Sequence, residues 1–496
     1  MASKKYAEFV QKMQNMADLG QAMAVLGWDK EVNLPKGSSQ RRGQQMATLS
    51  ALVHGKFVDP EFGSLIDQLS KTKNLSKKER RNVEITKDEY EKATLFSEEF
   101  VIKKSIAISN LYAAWIEARE KDDFEIYAEP LDKMLDIVRE ESRLLNRGEH
   151  PYDSHLDRYE PNLTVAKVDK IFEEVAEFLP PLLKTLSKAK TPKDGFLFQK
   201  FSKSKQWDFG IEILKSMGYD FNYGRQDISP HPFTTSFGPE DVRVTTRIDE
   251  NDFKNMTWST IHEGGHALYE QGLDASEYGL PSGSPISLAI HESQSRLWEN
   301  HVGRSKDFWI YFYPILQKKF RKQLQNTSLK KFYKAINKVQ PNLIRTEADE
   351  LHYHLHVLIR YQIEKTIFEE NINAQDIRRL WNEKYREYLG LSVSDDKNGV
   401  LQDVHWAHGS FGYFPTYSLG SFYAAQFYAQ AQKDIPKLQS QIKNGDSSQL
   451  LSWLRENIHS KGRTVEADEL CKNITGEYLN FDYFKEYAET KFLDLI

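Results

Sequence analysis

The chain has 496 residues, 40% of them apolar and 28% charged, a composition that supports a large packed core and excludes extended disorder. Its formal charge of −5 offers no electrostatic footprint for nucleic acid or an acidic membrane, so neither is an expected partner. Cys471 is the only cysteine, which excludes an internal disulfide and a thiolate metal cage and suits a reducing compartment.

The opening MASKKYAEFV carries no apolar signal core, and no stretch reaches the roughly 18 apolar residues of a membrane helix, so a cytoplasmic protein is expected. Most segments place apolar residues at three- and four-residue spacing among charges, as at Leu351, Leu355, Leu358 and Ile359, which predicts a mainly α fold. Basic runs such as KKFRKQ from Lys318 read as solvated helix faces. The whole chain, 1–496, is expected to act as a single catalytic unit. The loop-like SKAKTPKDG at 187–195 separates a helical N-terminal subdomain, 1–190, from a subdomain at 191–496 that carries the motifs described next.

After ISPHPF and the breaker pair Gly238-Pro239 comes DVRVTTRI, in which Val242, Val244, Thr246 and Ile248 alternate with Arg243, Thr245 and Arg247. That alternation predicts a strand, one half of a small hairpin, whose edge an extended peptide can join. In TWSTIHEGGHALYEQG, residues 257–272, His262 and His266 stand one helical turn apart with Glu263 beside the first. Imidazole suits zinc, and a catalytic zinc takes three protein ligands and a water whose pKa it lowers. Glu263 is then placed to take a proton from that water and pass it to a departing amine. The pattern is short enough to arise by chance, so its context matters. Ser259 or Thr260 is an expected cap, and Ile261, Ala267 and Leu268 form a face to bury. Gly264 and Gly265 each cost a helix about 1 kcal/mol relative to alanine, so a close backbone approach is expected there.

Downstream, LAIHESQSRLWEN offers Glu292 and Glu299 two turns apart on a second helix. Glu292 is the expected third ligand, Glu299 the alternative, and Glu270 a supporting or structural group. Arg296, where an aspartate would orient a ligand histidine, leaves that orienting group unread.

Six stretches then occur in order: HPF at 231–233, DVRVT at 241–245, HEGGH at 262–266, HESQ at 291–294, IRTEAD at 344–349 and GVLQDVHW at 399–406. Together they resemble the signature set of the carboxypeptidase Taq family of metallocarboxypeptidases, and LGWDKEVNLPKGS and GYFPTYSLG extend the likeness over nearly the whole chain. The resemblance implies a large helical metallopeptidase fold with a deep groove covered by the N-terminal subdomain, a small β-sheet beside the active site, and a homodimer. It also implies release of single residues from the free C-termini of peptides, with His262, His266 and Glu292 as metal ligands and Glu263 as base. Zinc is the expected ion, with cobalt a possible substitute.

A carboxypeptidase must grip a terminal carboxylate, for which an arginine is suited. Arg345 is the leading candidate, its structural alternative being an ion pair with Glu347 or Asp349. Arg243 is the other candidate, unless Asp241 holds it. Attack on the scissile carbonyl creates an oxyanion that needs donors already in place. Helical peptidases of this wider group use a histidine and a tyrosine, matched here by His405 and Tyr417 within HWAHGSFGYFPTY, with His408 and Tyr413 as competitors that also count as substrate-binding residues. His231 is divided between substrate contact and support of the hairpin, and Gln402 and Asp403 between substrate contact and support of their loop. In LHYHLHVLIRY, His352 and His356 repeat the four-residue spacing without an adjoining glutamate, so a wall is expected rather than a second metal, with Tyr353 and His354 lining the groove. The competing readings are an oligopeptidase or dipeptidyl carboxypeptidase on a similar scaffold and, more remotely, a peptide-binding protein with a vestigial metal site.

Overall fold

The computed structural model describes residues 2–496, without the side chains of Ala2, Ser3 and Lys36. The chain is mainly helical, as its apolar spacing predicts, with one three-stranded sheet. Among the described residues no helix is long and apolar enough to cross a membrane. Internal contacts group the chain into two units. The first contains the residues up to Thr94, Lys193–Ile336 and Tyr423–Leu479; the second contains Leu95–Pro192, Asn337–Phe422 and Asn480–Ile496. One change from the second unit to the first falls after Pro192, inside the SKAKTPKDG segment.

The sheet belongs to the first unit and consists of β1 (Gly224–Ile228), β2 (Thr234–Ser236) and β3 (Val242–Thr246). β3 is central, with Arg243 opposite Thr235 of antiparallel β2 and Arg225 of parallel β1. The expected hairpin is therefore β2–β3. β1 is an addition that its sequence, GRQDI, does not announce, because only one of its residues is apolar. The alternation in β3 is also incomplete: Val242 and Val244 are buried, but so are Thr245 and Thr246. Hydrogen bonds allow this, since Thr245 Oγ1 accepts from Phe233 N–H at 2.9 Å and lies 2.7 Å from Ser229 Oγ, while Thr246 Oγ1 lies 2.8 Å from Ser259 Oγ.

Helix α1 (Phe253–Glu270) carries HEGGH and packs on β3. It starts earlier than the sequence suggests: Asp252, not Ser259 or Thr260, is the cap, accepting from Lys254 N–H at 2.9 Å. Buried Phe253, Met256 and Thr257 extend the helix backwards. Phe253 joins a cluster of buried rings with Phe201, Phe209 and Phe320. Ser259 and Thr260 lie inside the helix, and Ser259 Oγ donates to the Asn255 carbonyl at 2.9 Å.

Helix α2 (Leu288–Arg296), capped by Ser287, crosses α1 at Gly265. A Cβ at Gly265 would lie 2.7 Å from the Gln294 carbonyl oxygen and from Ser295 Cα, and one at Gly264 would lie 2.7 Å from Leu214 Cδ2. Both glycines thus answer to a neighbouring element: one lets two helix backbones approach, the other admits helix Lys203–Met217. α2 runs directly into a π-helical turn at Leu297–Gly303.

In the second unit, helix α3 (His352–Glu369) buries Leu355, Leu358 and Ile359 as its spacing predicts, and Leu351 immediately before it is buried as well. Asp349 fixes its start by accepting from the N–H groups of Leu351 and His352, each at 3.0 Å. α3 packs against helix Val165–Leu186, where the rings of Tyr361 and Phe172 stand 5.1 Å apart. Helix α4 (Phe414–Asp434), which carries Tyr417, follows the loop of GVLQDVHWAHGSFGYF.

Candidate active site

Three donor groups of the first unit converge. His262 Nε2 lies 3.6 Å and His266 Nε2 3.4 Å from the same oxygen, Oε2 of Glu292, and donor atoms of the three residues all fall within 4.8 Å of one another. Ligand atoms around a tetrahedral ion at about 2.0–2.2 Å stand roughly 3.4 Å apart, so this spacing fits a single divalent ion. Two imidazoles and one carboxylate are also a donor set that divalent transition ions accept. Among the described residues no other group of this kind occurs.

The rear atoms of these ligands are committed, which aims the front atoms. His262 Nδ1 is 3.0 Å from Glu299 Oε2, and Glu299 is held in turn by Arg296 at 3.2 Å and Arg304 at 2.9 Å. His266 Nδ1 is 2.5 Å from His291 Nδ1, and His291 Nε2 is 2.8 Å from Glu270 Oε1. Arg296 Nε donates to Glu292 Oε1 at 2.6 Å, while Oε2, also 3.0 Å from Ser295 Oγ, is the oxygen nearest the two imidazoles. Glu299, the alternative ligand, therefore stands behind His262, and Glu270 acts through His291. Such outer partners fix the tautomer and ring orientation of a ligand.

The electrostatics suit a cation. Burial works to raise the Glu292 carboxyl, but Arg296 and then His262 hold it well below the usual carboxylate range. Glu299 is lowered in the same way, burial being overcome by Arg296 and Arg304. Burial, followed by the neighbouring His291, pushes His266 down to about 3, so it is a neutral imidazole ready to bind. For His262 burial is outweighed by Glu292 and then Glu299, which raise it; a bound cation would displace that proton.

Glu263 does not join the donor group. Its Oε2 accepts from Thr234 Oγ1 at 2.7 Å, and the same hydroxyl lies 3.0 Å from the Glu263 carbonyl oxygen. Strand β2 thus holds the carboxylate beside the donors. Burial raises the Glu263 carboxyl, against the opposing pull of His262 and Thr234, in the direction a general base needs at neutral pH.

A second constellation lies in the second unit. Arg345, 5% exposed, donates from Nε and Nη2 to Asp403 Oδ1 at 3.1 and 2.8 Å, and from Nη1 to the Tyr353 hydroxyl at 2.9 Å. Its acid is Asp403, not Glu347 or Asp349; Asp349 is engaged at the start of α3 and with His352 Nδ1 at 2.6 Å. One N–H on each Nη of Arg345 remains for another acceptor. Asp403 Oδ2 accepts from Arg360 Nε at 2.6 Å, and Gln402 Oε1 accepts from the Arg345 backbone N–H and from Arg360 Nη2, both at 2.9 Å, so Gln402 and Asp403 support their loop. The Tyr417 ring lies 5.0 Å from the Arg345 guanidinium, and the Tyr417 hydroxyl is 3.1 Å from His405 Nε2. Burial pushes His405 down to about 3, keeping it neutral, and its buried Nδ1 has no hydrogen-bond partner in the protein. Tyr413 closes this group, its ring 5.3 Å from His405 and 5.2 Å from Tyr417.

The remaining candidates make other contacts. His408 is exposed and stacks on Tyr112 at 5.1 Å. Arg243 is held by Asp241 at 2.8 and 2.7 Å and lies between the rings of Trp28 and Phe237, at 4.7 and 4.8 Å. His231 is exposed in the β1–β2 connection, where its carbonyl accepts from Ser229 Oγ at 2.6 Å. His354 is not a groove residue: it is 1% exposed, bonded to Ser418 Oγ at 2.9 Å and packed on Phe422 and Phe484. His356 is spent on Tyr385 and the Asn342 carbonyl. Sequence reasoning missed Thr234, His291 and Arg304 as supports and Arg360 as a partner of Asp403. Only His291, directly before Glu292, had a positional signal.

The family model described as "Carboxypeptidase Taq (M32) metallopeptidase" matches residues 8–492. "Carboxypeptidase 1" of Bacillus subtilis (strain 168) is 38% identical over 490 residues, covering 98% of each chain. A solved structure described as "The Structure of CHT" superposes with a TM-score of 0.98 at 52% identity and 99% coverage of both chains. That of the "M32 carboxypeptidase from Deinococcus radiodurans R1" superposes with a TM-score of 0.97 at 37% identity, again covering 99% of both.

Proposed function

From its membership of the carboxypeptidase Taq (M32) metallopeptidases, the family to which this chain belongs, we propose that the protein hydrolyses the C-terminal bond of peptides and releases single amino acids with broad specificity. The observation that carries the reading is the convergence of His262, His266 and Glu292 with Glu263 at their side. We assign one zinc ion per chain to that donor set, with cobalt as a substitute. When bound, the ion supplies Lewis acidity and a water of lowered pKa.

The chain's own residues do the rest. Glu263, raised by burial and steadied by Thr234, takes the water's proton and delivers it to the departing amine. His405 and Tyr417 donate to the oxyanion that forms on the scissile carbonyl, a task suited to a neutral histidine beside a tyrosine hydroxyl. Arg345 recognises the terminal carboxylate with its two unspent N–H groups, and Asp403 keeps the guanidinium in place. Arg243, His231, Tyr413 and His408 are assigned to further substrate contacts, Arg243 with the least capacity because Asp241 already occupies one edge of it. The proposal further takes the chain as a single catalytic unit, homodimeric and cytoplasmic.

The test is a time course by mass spectrometry of the zinc-loaded protein with an unstructured peptide and its C-terminally amidated twin. Loss of single residues from the free acid alone is expected. Dipeptide release, or internal cleavage of both peptides, would contradict the proposal.

A further inference from the structure

Glu364 carries no part of the chemistry above, yet it is fully buried on α3 and surrounded by donors. Its Oε1 accepts from Trp406 Nε1 at 2.7 Å, and its Oε2 accepts from the Gly412 backbone N–H at 2.8 Å and from the Tyr152 hydroxyl. Trp406 directly follows His405, and Gly412 directly precedes Tyr413. One side chain therefore ties both ends of the segment that carries the histidine and leads into Tyr413 and Tyr417.

The surroundings make this grip specific. Gly412 has a φ of +90°, and a Cβ there would lie 2.3 Å from the His155 carbonyl oxygen, so the segment is pressed against a neighbouring backbone as well as tied to Glu364. One turn earlier on α3, Arg360 grips the incoming chain through Asp403 at 2.6 Å and Gln402 at 2.9 Å. α3 thus presents a guanidinium to 402–403 and a carboxyl group to 406 and 412, with His405 between them. A carboxylate offers two acceptor oxygens to these three donors, whereas an amide offers one and an apolar side chain none. A group that is costly to bury and has no reacting atom nearby is explained by what it orders.

We propose that Glu364 is a positioning residue: by accepting from Trp406 and Gly412 together, it sets the His405–Tyr413 segment so that His405 faces the oxyanion. This rests on the role given to His405 under the proposed function, and the test separates the two. Glu364→Gln, His405→Gln and the double variant are compared with the parent, all zinc-loaded, for kcat and KM on one peptide, metal content and thermal unfolding. Glu364→Gln should lower kcat about tenfold with KM within about twofold and metal content unchanged, and the double variant should be no slower than His405→Gln alone. Parental kcat in Glu364→Gln, even with a lowered Tm, would overturn the proposal, as would a double variant in which both losses multiply. Parental kcat in His405→Gln would instead overturn the reading on which it rests. Should Glu364→Gln fail to fold, Trp406→Phe decides: it removes one donor and keeps a ring, so a kcat loss of about threefold supports the proposal and an unchanged kcat overturns it.

Discussion

The donor group of the first unit and the arginine–histidine group of the second are built on opposite plans. Around His262, His266 and Glu292 the partners stand behind: Glu299, His291 and Arg296 occupy the rear atoms and leave the front ones aimed at a common point. Around Arg345 the partners take more than half of the guanidinium, with Asp403 and Tyr353 accepting three of its five N–H groups and the Tyr417 ring alongside. The difference teaches that a cluster of charges is a binding site where its satisfaction is one-sided, and a scaffold to the extent that it is complete. The first should fail by losing an ion, the second by losing geometry.

That contrast can be broken at its strongest point by Glu292→Gln, which keeps shape but removes the anionic front donor. Metal content by mass spectrometry should fall to background, and activity by more than about 10³-fold. Retention of a stoichiometric ion would mean that the donor group is not the site. Next in size is Tyr417→Phe, which removes a single hydroxyl from the second group. An oxyanion donor is worth about 10²-fold in kcat, and the ion should stay bound. A change confined to KM would move Tyr417 from transition-state stabilisation to ground-state binding.

Arg345→Lys sharpens the comparison because the two plans forecast different losses. A lysine cannot serve Asp403, Tyr353 and a substrate carboxylate at once, so KM for a free-acid peptide should rise about tenfold and stability fall by about 3 kcal/mol. A fall in Tm at constant KM would leave Arg345 as scaffold only.

The smallest expected effect is a pH dependence of stability. Burial raises the Glu364 carboxyl from 4.5 to about 7, against the pull of Tyr152, Gly412, Trp406 and Arg360. A raised carboxyl favours the folded state most when protonated. Its contribution is therefore complete below pH 4.5 and lost as pH rises through about 7. Thermal unfolding of Glu364→Gln should lack this slope, so its deficit against the parent should shrink between pH 5 and pH 8. A constant deficit would show that the carboxyl is not raised.

What could be read in the sequence follows the same division. His262, Glu263 and His266 were legible because a helix converts four-residue spacing into one face, and the β2–β3 hairpin because β3 alternates over Val242 and Val244. Glu292 was legible as the third donor and Glu299 as its alternative, but the support that Glu299 gives His262 from behind was not, because Glu299 lies in the π-helical turn from Leu297, outside the regular helix spacing. β1 was hidden by its polar sequence, and the early start of α1 by a cap, Asp252, that lies outside the motif. The partners of Arg345 and the grip of Glu364 join α3 and its approach to a loop far along the chain, and no local period encodes such pairings.

The central claim, that the converging donors hold an ion served by Glu263 as base, is met most directly by one paired measurement on Glu263→Gln: metal content and turnover on the same preparation. A full complement of metal with kcat lowered by about 10³-fold is the expected result. Turnover close to the parent's, with the metal in place, would contradict it.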